Sequence, residues 1–207
     1  MKKVLLTLTA IAGLATASQA QTGFGKGDVI VEGNLNLNHE NNKNTEVKTT
    51  DFNFTPIAGY FFTDKIAAGV NFNLGTSKTN EYGDADKVSR DNMIGAGLFG
   101  RYYFLELGSR FKTYAEVDAD YFNTRSEVET AGNTVKGPKT NEFAFNGGIG
   151  ANYFLTDKIA INFALNNLVG FSTSKTKGAE SINKFGLNVN EYNNFFDAAT
   201  FGLTFKF

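Results

Sequence analysis

The stretch from Asn141 to Phe163, NEFAFNGGIGANYFLTDKIAINF, holds two alternating runs separated by a short break. Before the break, Phe143, Phe145, Ile149, Ala151 and Tyr153 share one phase, and Glu142, Ala144, Asn146, Gly148, Gly150 and Asn152 share the other. After it, Ile159, Ile161 and Phe163 alternate with Ala160 and Asn162. A period of two marks a strand with one apolar face. Thr156, Asp157 and Lys158 between the runs are residue types that suit a tight reversal. The same Thr-Asp-Lys-Ile-Ala string, again preceded by Tyr-Phe and one further apolar residue, begins 93 positions earlier with Thr63, Asp64 and Lys65. Aromatics on one side and Ile-Ala on the other are hairpin chemistry used twice, and predict no ligand site.

Working outward, the alternation recurs over 28–39, 51–62, 66–76, 92–104, 111–123 and 194–207, beside 141–154 and 159–171. In 28–39, for example, Val29, Val31, Leu35 and Leu37 oppose Glu32, Asn34, Asn36 and Asn38. The gaps after the second, fourth and sixth strands are short, at Thr63–Lys65, Leu105–Arg110 and Leu155–Lys158. Those after the first, third, fifth and seventh are long and polar, near 40–50, 77–91, 124–140 and 172–193. Strict alternation of gap length predicts an up-and-down meander with tight turns at one end and long loops at the other.

Residues 1–20 are set apart from this pattern. Lys2 and Lys3, the apolar run Val4–Leu14 and the small-residue end Ser18-Gln19-Ala20 read as a secretory leader cut after Ala20, leaving 21–207 as one domain. Without the two leader lysines the chain carries 18 basic and 21 acidic residues, a net charge of about −3 that argues against nucleic acid as a partner. No cysteine is present and His39 is the one histidine, so neither a disulfide framework nor an ordinary zinc site is expected, and no cofactor or metal is predicted.

Eight alternating strands close either as a soluble barrel with apolar residues inside or as a membrane barrel with apolar residues outside. The polar phase decides, because Gly69, Gly75, Gly95, Gly97, Gly148, Gly150 and Gly202 all lie on it. A solvated surface has no reason to collect glycines, whereas the crowded interior of an eight-stranded barrel does. Tyr60, Phe62, Tyr102, Phe104, Phe111 and Tyr153 stand on the apolar phase beside the short turns, as an aromatic girdle at one membrane interface requires. The fold expected is therefore all-β: an eight-stranded antiparallel up-and-down transmembrane β-barrel.

With its leader, its eight strands, its turn strings GYFFTDKIAAGVNF and ANYFLTDKIAINF and its ending FGLTFKF, the chain resembles the small outer-membrane β-barrel proteins of Gram-negative bacteria, the family of OmpX and the OmpA transmembrane domain. The resemblance implies a bacterial outer-membrane location, with outer-membrane lipid and lipopolysaccharide as surroundings. It also implies that Phe201, Leu203, Phe205 and Phe207 form the C-terminal signal read by the barrel assembly machinery. The extracellular ligand, if there is one, is not legible in it.

Three groups of residues are candidates for function. Arg101, Lys112, Glu116, Asp118 and Asp120 form a charged interior set; they line an ion pathway or bind a polar solute, or else pair internally and fill the lumen, as buried charges generally do. His39, beside Glu40 and Asn41, has no serine nearby in sequence and reads as a solvated residue rather than as half of a Ser-His pair. The long polar loops are where binding on a rigid scaffold usually resides. A non-catalytic structural or surface-interaction barrel is the leading reading, ahead of a narrow solute channel and of a lipid-modifying enzyme.

Overall fold

The computed structural model describes residues 23–82, 87–187 and 200–207, so the predicted leader lies outside the described residues. Every regular element among them is a strand: β1 (Val29–Asn42), β2 (Val47–Phe61), β3 (Ile66–Glu81), β4 (Lys87–Leu107), β5 (Phe111–Thr130), β6 (Asn133–Phe154), β7 (Ile159–Thr176), β8 (Ser181–Leu187) and β9 (Thr200–Lys206). Each strand from β1 to β7 pairs antiparallel with the next. Between β7 and β1 lies β9, which pairs with both and closes the ring. The seam continues to the chain end, where Val29 and Phe207 exchange backbone hydrogen bonds of 3.1 and 2.9 Å.

Nine segments make eight wall positions, because β8 and β9 share one. The lower part of β7, Ile159–Ala164, pairs with Thr200–Phe205, and its upper part, Val169–Lys175, pairs with Ser181–Leu187. The expected last strand 194–207 is thus present from Thr200 onward, and its beginning lies outside the described residues. The stretch expected as a loop over 172–193 is corrected: it contains the end of β7, a turn and all of β8.

The other expected loops are corrected in the same sense. Strands run through most of 40–50, 77–91 and 124–140, and the β5–β6 connection shrinks to Ala131 and Gly132, with φ of 49° and 79°. Positive φ at both central residues is the primed turn whose twist suits a hairpin. The sequence pattern hid these extensions because their outward phase turns polar, as in Thr76, Lys78 and Arg125, while the ladder continues. At ~3.3 Å per residue and a tilt near 40°, 22 residues rise ~55 Å, about twice the height of a lipid-facing apolar band.

The predicted phase assignment is borne out by exposure. Phe72 is 54% exposed and Leu98 64%, while Phe61, Tyr103 and Tyr114 are buried in the interior. Interior glycines make room for large neighbours. A Cβ at Gly69 would stand 2.8 Å from the Phe99 ring, and one at Gly150 would stand 2.3 Å from Tyr114 Cζ. Such side-chain-free positions let eight strands enclose several aromatic rings.

The two Thr-Asp-Lys turns are built alike. Thr63 Oγ1 accepts the N–H groups of Lys65 and Ile66 at 3.2 and 3.0 Å; Thr156 Oγ1 accepts those of Lys158 and Ile159 at 3.3 and 3.1 Å. The carbonyl of each turn lysine then accepts a neighbouring strand's N–H, Tyr103 for Lys65 and Lys206 for Lys158, both at 2.8 Å. One local sequence thus reverses the chain and starts the next ladder. Asp64 has a further task, accepting the backbone N–H of Lys26 at 2.8 Å.

Candidate functional site

The polar phases of six wall positions meet at Arg101 on β4. It is 2% exposed, and its guanidinium reaches Glu32 of β1 through two bonds, Nη1 to Oε1 at 2.7 Å and Nη2 to Oε2 at 3.1 Å. Nε donates to Glu116 of β5 at 2.7 Å, Nη2 lies 2.6 Å from the same oxygen, and Nη1 also donates to the Tyr103 hydroxyl at 3.2 Å. These contacts occupy all five N–H groups of the arginine fork. Its flat face rests on the Tyr114 ring, 4.0 Å from the centroid, where a cation and a π-system attract.

Neutral side chains complete the layer. Tyr103 donates to Asn152 of β6 at 2.9 Å, Asn152 to Thr204 of β9 at 3.0 Å, and Thr204 back to Glu32 at 3.0 Å. Asn162 of β7 donates to Glu32 Oε2 at 3.1 Å and accepts from Tyr114 at 2.8 Å. Among the described residues no buried side-chain nitrogen or oxygen lacks a hydrogen-bond partner. Two carboxylates flank one guanidinium, and Glu32 has further donors in Asn162 and Thr204, which helps to meet the condition under which buried charges are tolerated.

Below this layer aromatic rings pack together in the lumen. Phe24, from the segment before β1, stacks on Phe61 at 4.5 Å and meets Phe154 and Tyr103 at 4.9 and 5.0 Å. The segment is held by the Lys26–Asp64 bond, by Lys206 Nζ donating to the Gly23 carbonyl at 2.6 Å, and by Lys206 lying 3.6 Å from Asp28. Phe24→Ala is expected to cost about 2 kcal/mol, from lost apolar burial beneath the ion pair. A urea titration in micelles checks it; an unchanged midpoint would show that Phe24 is not a structural stopper.

Above the layer is a cavity of about 740 Å³, with Arg101, Tyr114 and Phe99 in its floor and asparagines, among them Asn53, Asn71 and Asn73, in its walls. Asp118 accepts from Asn146 at 3.1 Å and Asp120 from Asn73 at 3.3 Å.

Of the five charged residues expected together, the structure joins Arg101 to Glu116 and places Asp118 and Asp120 one layer higher. Lys112 is buried too, but it stands apart at the short-turn end and pairs with Glu106. Glu32, the partner that holds both terminal nitrogens of Arg101, is visible in the sequence only as the first carboxylate on the polar phase of β1. Tyr103, Asn152, Asn162 and Thr204 carried no signal beyond that phase. His39 lies at the exposed upper end of β1, its Nδ1 2.9 Å from Thr50 Oγ1. Phe201 and Leu203 face outward from β9, as their phase predicts.

The family described as "Outer membrane protein beta-barrel domain" matches residues 4–207. The chain belongs to the outer-membrane β-barrel family. Among solved structures this barrel is similar to the outer membrane protein OprG of Pseudomonas aeruginosa, at 15% identity and TM-score 0.51, over 91% of this chain and 99% of that one. It also matches outer membrane protein W of E. coli at 13% identity and TM-score 0.42, over 88% and 99%. The attachment invasion locus protein Ail of Yersinia pestis follows at 12% and 0.38, over the same shares. No curated protein matches the sequence. Likeness to OprG supports the barrel fold; the roles of this barrel's residues rest on its own geometry.

Proposed function

We propose that this protein is a non-catalytic, non-conducting barrel of the bacterial outer membrane, whose tall, polar upper rim serves a structural or surface-interaction role. The observation that carries this reading is the Arg101 layer. It ties β1, β4, β5, β6, β7 and β9 across the lumen, with every buried polar side-chain atom among the described residues bonded, and Phe24 lies beneath it. An open pore needs a continuous aqueous path, and this wall-to-wall network interrupts it.

The exposed apolar phase and the aromatics beside the short turns fit a lipid surround, with lipopolysaccharide on the outer side. The terminal run Phe201, Leu203, Phe205 and Phe207 fits recognition by the barrel assembly machinery, and the leader 1–20 fits export. Electrophoresis of detergent-extracted protein with and without boiling tests the location: an SDS-resistant band that shifts on boiling is expected, and recovery in the soluble periplasmic fraction would overturn it. Planar-bilayer recording tests closure. No unitary steps are expected from the wild type, and discrete steps that shrink in Asp118→Asn would replace this reading with a channel.

A further inference from the structure

The outward phase of β5, β6 and β7 changes character above the apolar belt. Tyr121 lies ten residues from Phe111 on β5, and Phe143 ten from Tyr153 on β6. Ten tilted residues rise about 25 Å, the height of a lipid-facing band. Four residues farther along, ~10 Å higher and at headgroup level, stand Arg125 and Lys139.

These two cations are directly opposite in the β5–β6 ladder. On the other side of Lys139, the backbone N–H of Lys177 donates to the Lys139 carbonyl at 3.0 Å. Lys175, opposite Asn141 on β7, lies just below. All four side chains are exposed, and among the described residues none takes part in an ion pair. Like charges placed directly opposite destabilise a sheet. Elsewhere on the rim Lys78 also stands opposite Arg90, but there the arginine is offset by Glu129, and Lys87 by Glu81, each at 3.3 Å. Beneath the unpaired cations Tyr121, Phe143, Phe145 and Phe171 form an exposed apolar face.

We propose that Arg125, Lys139, Lys175 and Lys177 form a binding site for the phosphorylated headgroup of an outer-leaflet lipid, whose acyl chains lie against the aromatic face below. The inference rests on the outer-membrane reading and names a partner for one sector of that barrel's outer wall. An arginine fork matches phosphate oxygens, and the lysines add point charges that need no fixed geometry. An anion there converts repulsion between neighbouring strands into a shared attraction. The apolar face commits the site to a lipid rather than to free phosphate.

Native mass spectrometry of the full chain refolded in micelles tests this with three probes: bis-phosphorylated lipid A, the same lipid without phosphates, and inorganic phosphate. Wild type should retain phosphorylated lipid A. Retention should be roughly tenfold to a hundredfold weaker for dephosphorylated lipid, and for Arg125→Gln/Lys139→Gln/Lys177→Gln, since each basic residue near an anionic surface is worth about a fivefold factor. Lys43→Gln/Lys65→Gln should bind as wild type does. Equal retention with and without phosphates, or undiminished binding by the triple variant, overturns the proposal; so does inorganic phosphate binding as tightly as the lipid. Should the triple variant fail to fold, salt titration of wild type decides: selective release of the phosphorylated lipid is expected, and no salt dependence overturns the site. A wild-type chain that shows no heat-dependent mobility shift refutes the outer-membrane reading, whereas a shifting barrel indifferent to phosphate refutes only this site.

Discussion

Arg101→Ala is expected to destabilise the barrel by about 3–5 kcal/mol, because it strands Glu32 and Glu116 in the lumen without their counter-ion. Glu32 is 1% exposed and keeps only neutral donors once the guanidinium is gone. Much of the expected loss is the penalty of an unpaired buried charge, so Arg101→Met combined with Glu32→Gln and Glu116→Gln should recover a large part of it. The gel-shift midpoint in urea, read across these variants in micelles, measures both effects. The exposed pair Lys87–Glu81, whose side chains are 42% and 47% exposed, is the internal standard. Lys87→Ala should cost at most ~1 kcal/mol, as solvated ion pairs do. Equal losses from Arg101→Ala and Lys87→Ala would show that the luminal layer is not what holds the walls.

A comparable loss is expected from Gly150→Val, by overpacking. Even the first added carbon would stand 2.3 Å from Tyr114 Cζ and 2.4 Å from its hydroxyl. The ring cannot retreat without leaving Arg101, over which it sits at 4.0 Å, and releasing Asn162. Overpacking alone costs about 1–3 kcal/mol, and a lost cation–π contact in a dry site adds up to about 2. Tyr114→Ala placed in the Gly150→Val background removes the collision, so the double variant should be more stable than the sum of the two single losses. Additive losses in a urea titration would show that the two positions do not share space.

The fold was legible because two signals act over short range. Alternation reports which face meets lipid, and Thr63 and Thr156 cap their turns through bonds two and three residues away. The upper strand halves leave no apolar trace in the sequence because their outward phase is polar; the β5–β6 hairpin therefore reads as a loop, although Ala131 and Gly132 suffice to turn it. The luminal layer was half legible. Opposed charges on the polar phase announced Arg101 and Glu116, which face each other in adjacent strands. Glu32 is 69 residues from Arg101, and nothing local marks which strand of a closed ring will face which. Phe24 precedes the first strand and carries no period, so its return to the lower mouth had no signal at all.

The closing seam bears on the order in which the chain can acquire its structure. Ile30 faces Lys206 across it, and joining points that far apart costs chain entropy on the order of 5 kcal/mol. Glu32 lies on one side of that seam and Thr204 on the other, and their bond spans 172 residues of sequence. Until the ends meet, Glu32 lacks Thr204 and the lumen stays hydrated, which weakens the attraction of Glu32 for Arg101. Each half-built intermediate is therefore poorly rewarded, and the final pairing releases most of the gain at once. Long-range contacts of this kind make folding slow. They also make it cooperative, so that a chain missing either end is expected to remain an open, exchange-prone sheet rather than a slightly weaker barrel.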